Sequence, residues 1–92
     1  MSLIFEWDDR KAAVNRRKHR ISFEEATTAF GDPLSLTIDD ERHSQVEARF
    51  VLVGMTVRGR LVVVAHTVRG DRIRLISARR ATKRERKTYE QP

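Results

Sequence analysis

The 92-residue sequence has no cysteine, two prolines, four glycines and 7% aromatic residues. Without cysteine there is neither a disulfide framework nor a thiolate metal site, and nothing argues for an oxidising compartment. No apolar run approaches the roughly 18 residues that span a bilayer, and Met1 to Trp7 lacks the basic and apolar regions of a secretory signal. These absences predict a cytoplasmic protein without a membrane partner. Repeats, low-complexity segments and linkers are also missing. A single core needs on the order of 100 residues, so 1–92 is read as one domain. Met1-Ser2-Leu3 reads as an added leader and carries no weight.

What remains is charge. Hydrophobic residues are 39% and charged residues 35%; 19 Lys and Arg oppose 13 acidic residues, giving a net charge of +6 and a pI near 10.7. The core must be thin and the surface heavily charged, and the excess favours a polyanionic partner such as nucleic acid.

The pattern predicts an α+β fold. Asp8 or Asp9 caps a helix running to about His19, and its last residues, Arg16-Arg17-Lys18-His19-Arg20, suit the negative end of a helix dipole. Ser22-Phe23-Glu24-Glu25 predicts a capping box and a second helix with Phe23, Ala26 and Phe30 on one face, stopped by Gly31 and Pro33. The alternation Leu34, Leu36, Ile38 reads as a half-buried strand. Phe50 to Val57, Leu61 to Val68 and Arg72 to Ser77 read as an antiparallel meander joined by turns at Arg58-Gly59 and Gly70-Asp71. Leu61 to Ala65 is apolar on both faces and belongs in the centre. Thr82-Lys83-Arg84-Glu85 is a second capping box, opening a short third helix to about Glu90. Two N-terminal helices packed on an antiparallel sheet of about four strands, with a short C-terminal helix, follow from these elements.

Two blocks carry a resemblance. Phe5-Glu6-Trp7-Asp8, leading to Lys18-His19-Arg20-Ile21-Ser22-Phe23-Glu24-Glu25-Ala26, and the run from Arg69 to Thr82 resemble the signatures of the BrnT toxin family in both order and spacing. One departure is Arg20, where members commonly carry Gly; it bears on the turn after the first helix. The resemblance implies a RelE-like fold, endoribonuclease activity that halts translation without a metal or other cofactor, and a BrnA-like antitoxin of ribbon-helix-helix type in a 2:2 complex. Association with the ribosome is compatible with it.

Metal-free RNA cleavage needs a base for the 2'-hydroxyl proton, cations for the pentavalent phosphate and an acid for the leaving oxygen. Arg79 and Arg80, where the last strand meets the third helix, could place guanidinium forks and helix N–H groups on one phosphate. Strand alternation points them to opposite faces, and a solvated pair or an antitoxin contact is the competing reading. Lys83 to Tyr89 resembles the C-terminal stretch of RelE, where an arginine and a tyrosine serve catalysis; Arg84 and Tyr89 are the matching types. An amphipathic helix anchored by Tyr89 is the alternative. His66 can shuttle protons or fill the core beside Val62 and Val64. Lys18 and His19 can bind phosphate, act as acid and base, or simply cap their helix. The expected catalytic set is thus Arg79, Arg80, Tyr89, His66, Lys18 and His19, with Arg84, Lys83, Arg74 and Arg17 as RNA-binding cations.

Other features are weaker. His43 beside Asp39, Asp40 and Glu41 lacks metal-ligand spacing, so no metal site is expected. Arg69-Gly70-Asp71 is a turn rather than an adhesion tripeptide. Phe5 and Trp7 are core residues, although an exposed Trp7 could stack on a base. Glu24-Glu25 makes the second helix a poor major-groove reader, against a helix-turn-helix. Two rival functions remain: a non-catalytic basic nucleic-acid-binding module, and an interaction protein whose basic surface binds an acidic antitoxin.

Overall fold

The computed structural model describes residues 3–43 and 46–91; Met1 and Ser2, on which the leader reading falls, lie outside the described residues. Strands β1 (Ile4–Glu6), β2 (Leu36–Asp39), β3 (Arg49–Met55), β4 (Leu61–Arg69) and β5 (Arg72–Arg80) form one sheet in the order β1-β5-β4-β3-β2. Helices α1 (Asp9–His19) and α2 (Phe23–Thr28) precede β2, and α3 (Lys83–Glu90) closes the chain. The sheet therefore has five strands rather than about four. It is mixed, because β1 pairs parallel with β5, Phe5 opposite Ile73. Three residues paired with a segment 68 positions away leave no local signal, which is why that start reads only as extended chain.

The caps set the helix boundaries. Asp8 accepts from the amides of Arg10 and Lys11, Ser22 from that of Glu25, and Thr82 with Glu85 forms a reciprocal box. At α2 the expected box is only half made. The Glu25 carboxylate turns inward instead, to Thr56 and Arg60. Arg20 ends α1 in the left-handed region at φ 61°, the conformation that favours glycine. Gly59 and Gly70 meet the same demand in the two hairpin turns.

Strand alternation divides the sheet into two faces. Leu52, Val62, Val64, Leu75 and Ala78 pack with Ile21, Phe23, Ala26 and Ala29 into the core. Arg49, Val51, Val53, Val63, Ala65, Ser77 and Arg79 lie on the other face by register. β2 runs along the sheet edge, and contrary to the half-buried reading it is exposed throughout. Leu36 and Ile38 pair with Val53 and Val51 and so belong to that open face, where Ile38 is 62% exposed.

α1 is held by a polar anchor. Its one buried residue is Asn15, whose carboxamide accepts from the Ala78 amide at 3.0 Å and donates to the Ala78 and Ile21 carbonyls at 2.8 and 3.1 Å. It completes the edge of β5 where β1 stops, as a neighbouring strand would.

Candidate active site

The open face gathers its polar groups at one end of a short apolar floor. Across β3, β4 and β5, Val51, Ala65 and Ser77 lie opposite one another, as do Val53, Val63 and Arg79. At the same level β5 carries a bulge: Ser77 pairs with Ala65 and Leu75 with His66, leaving Ile76 between them without a partner in β4. The extra residue turns β5 and re-aims its neighbours. The resulting concavity, about 290 Å³, is bordered by Asp40, His43, Arg49, Ser77 and Arg79 over a floor of valines and Ala65.

His43 enters from a single 3-10 turn, Glu41–His43, whose last amide bonds to the Asp40 carbonyl. Side chains three apart eclipse in a 3-10 turn. The His43 Nδ1 accordingly lies 3.0 and 3.1 Å from the two Asp40 carboxylate oxygens. A carboxylate only accepts, so Nδ1 carries the proton in this pair, and in the neutral ring Nε2 presents a lone pair. The imidazole is 60% exposed and can meet a ligand from solvent. A histidine oriented by a carboxylate beside two arginines is the arrangement of a general base next to an anion site.

Arg79 is held in place by α3. Its Nη1 and Nη2 donate to the two Glu85 oxygens at 2.8 Å each, and Nη1 also donates to the Arg80 carbonyl at 3.2 Å. A guanidinium has five N–H groups, and among the described residues no acceptor meets its side-on fork, Nε and the second N–H of Nη2, a geometry that suits a phosphate. Glu85 accepts from the Thr82 amide as well, so the α3 capping box fixes the arginine. The Arg79 guanidinium beside it lowers the Glu85 carboxyl to about 2, and Glu85 in turn raises Arg79.

The residues expected from sequence do not all converge. Arg79 lies in the concavity, while Arg80 pairs with Val62 and projects on the opposite face. The shared phosphate site of the two arginines and the free α3 amides is therefore not formed, because alternation separates the pair and the Thr82–Glu85 box occupies amides at the helix start. His66 is buried on the core face, its ring 4.9 Å from that of Phe30, and its Nδ1 meets the Val64 carbonyl. Burial lowers its pKa and keeps it neutral. The Tyr89 hydroxyl donates to Asp32 at 2.6 Å, and Asp32 also accepts from the Met55 amide, so the ring latches the end of α3 to β3. The hydrogen bond to Asp32 raises the phenol above its ordinary value. Arg74 is on the open face but paired with Glu6 at 2.9 Å. Lys83 and Arg84 are exposed on the first turn of α3. Lys18 and His19 border a groove between α1 and β5, and Arg17 faces the other side of α1. Phe5 and Trp7 pack against the core, Trp7 edge-on to Phe23.

Asp40, His43, Arg49 and Ser77 were not among the expected site residues. The one available signal was the Asp40-x-x-His43 spacing, masked by the neighbouring acids that make the loop look like an imperfect metal cluster. Among the described residues, no helix is long and apolar enough to cross a membrane.

Comparisons with known proteins bear on the family and the fold. A family model described as the ribonuclease toxin BrnT of type II toxin-antitoxin systems matches residues 7–85. A 1.1 Å crystal structure of the Brucella abortus ribonuclease toxin BrnT aligns with a TM-score of 0.68, covering 89% of this chain and all of that one at 18% identity. At that identity the likeness establishes the α+β fold. No curated protein matches the sequence.

Proposed function

The chain belongs to the BrnT family of ribonuclease toxins of type II toxin-antitoxin systems, and from that premise we propose that the open sheet face is its nuclease centre. Membership implies an RNA substrate and a cognate antitoxin. In the proposed step, His43 Nε2 takes the proton of a ribose 2'-hydroxyl, and the 2'-oxygen attacks the adjacent phosphorus. The bond from phosphorus to the 5'-oxygen breaks, leaving a 2',3'-cyclic phosphate. The departing oxygen takes a proton from water, and the imidazolium returns its own to solvent. Asp40 orients the ring. Arg49 and the open fork of Arg79 neutralise the phosphorane, a role that needs no metal.

The observation that carries this reading is the single concavity shared by the His43–Asp40 pair, Arg49 and Arg79. A BrnA-like ribbon-helix-helix antitoxin in a 2:2 complex, cytoplasmic action and association with the ribosome belong to the same proposal, supported by family membership. The test is purified protein, freed of antitoxin, incubated with end-labelled RNA in EDTA. Products ending in 2',3'-cyclic phosphate are expected. Protein that binds its antitoxin but cleaves neither free RNA nor message on ribosomes would leave a non-catalytic binding module.

A further inference from the structure

Helix α1 presents two basic faces, and only one communicates with the concavity. Arg10, Lys11, Val14 and Lys18 recur at helical spacing along a groove whose other wall is Ile76 and Ser77 of β5. Arg16, Arg17 and Arg20 surround a separate hollow with Ala13 that includes no strand residue. Ile76 and Ser77 also line the concavity of His43, Arg49 and Arg79. The β5 bulge is therefore a saddle between the two depressions.

We propose that the groove between α1 and β5 is a second RNA-binding subsite, in which Arg10, Lys11 and Lys18 hold backbone phosphates of a single strand that crosses the Ile76–Ser77 saddle. This rests on the open face being the nuclease centre. Arg10, Lys11 and Lys18 are exposed, and none has a carboxylate within ion-pair distance among the described residues. Arg69 and Arg74, by contrast, are engaged by Glu47 and Glu6. Val14, 53% exposed, and Ile76 give the groove an apolar floor between its cations. Cations along a track with apolar surface for bases or ribose is the chemistry of a sequence-tolerant single-strand groove. From Lys11 to Lys18 the helix advances about 10 Å, enough to meet more than one phosphate.

The test uses fluorescence anisotropy with 2'-O-methyl RNA, whose blocked 2'-oxygen prevents cleavage, so binding is read independently of catalysis. Two triple variants remove equal charge: Arg10→Gln with Lys11→Gln and Lys18→Gln, and Arg16→Gln with Arg17→Gln and Arg20→Gln. The first is expected to bind a 12-mer at least about tenfold more weakly, with the slope of log affinity on log salt reduced by about 2, near 0.7 for each lost phosphate contact. The loss should shrink on a tetramer too short to span both depressions. The second variant should keep most of the slope. Lys11→Gln alone, at a fully surface position, should show about a third of the slope change. Equal losses from both triple variants would reduce the effect to net charge and overturn the subsite. So would unchanged RNA affinity in the first variant with antitoxin binding lost, which would assign the groove to a protein. Failure of the unsubstituted protein to cleave RNA would instead count against the nuclease centre, since the anisotropy ratio does not depend on cleavage.

Discussion

Replacing Glu25 by glutamine should be among the most damaging single changes of near-constant shape. Its side chain is 5% exposed and accepts from the Thr56 hydroxyl at 2.8 Å and from Arg60 Nε at 2.8 Å, with a second bond from Arg60 Nη2. Arg58 Nη1 lies 3.8 Å away. This cluster pins the turn between β3 and β4 to α2. An amide in its place keeps one acceptor but turns an NH2 group toward a guanidinium. Breaking a buried ion pair costs about 3–5 kcal/mol. Arg60 is 24% exposed and can recover some hydration, so about 3 kcal/mol is expected for Glu25→Gln. A domain of this size has about 5–14 kcal/mol in all, and 1 kcal/mol moves its midpoint by about 4–8 °C, so Tm should fall by about 12–24 °C. Circular dichroism melts at pH 7 measure this. The Arg60 hydrogen bonds lower the Glu25 pKa from its ordinary value near 4.5. A depressed carboxylate stabilises the fold above its unfolded pKa and loses that contribution as pH falls through the folded value. The gap between the two proteins should therefore narrow below about pH 4.5. A pH 7 difference under about 0.5 kcal/mol, the range of ordinary surface changes, would refute the argument.

Three further outcomes follow from named contacts. Asn15→Leu should cost about 3 kcal/mol, since it strips partners from both backbone groups of Ala78 and from the Ile21 carbonyl, and hydrogen exchange at the Ala78 amide should approach that of frayed backbone. Arg20→Gly should stabilise by about 0.5–1 kcal/mol, relief of the left-handed backbone exceeding the entropy of glycine, and a lower urea midpoint would contradict this. Glu85→Gln should lower stability near pH 7 by about 1 kcal/mol once solvent screening is allowed for. Because Glu85 is lowered to about 2, that contribution is complete above its ordinary value near 4.5 and disappears as pH falls toward 2, so urea titrations of the two proteins should converge there.

Much of the frame was legible because it is written locally. Asp8, Ser22 and Thr82 mark the helix starts through side-chain acceptors, and the turns at Arg58-Gly59 and Gly70-Asp71 mark β3 to β5 as a meander with Leu61 to Ala65 at its centre. The failures share a non-local cause. β1 exists through pairing with β5, and Glu25 leaves its capping box because Arg60, 35 residues on, outcompetes the Ser22 amide. The apolar alternation of β2 shows which face it presents but not that the sheet ends there. The site followed the same division. Arg79 stood out by its place at the end of β5, but its partner Glu85 was legible only as a cap. His66 was a candidate alongside His19, and its strand position is what buries it between Phe30 and Phe50, as the core alternative had it. His43 needed the 3-10 turn that brings Asp40 beneath it.

The most direct test of the nuclease centre is single-turnover cleavage of RNA in EDTA by the unsubstituted protein and by His43→Ala, with matched melting curves and antitoxin affinity. Loss of a general base predicts a rate lower by about 10²–10⁴-fold in the folded variant. A His43→Ala protein that cleaves within a few-fold of the original would move the catalytic base away from the open face.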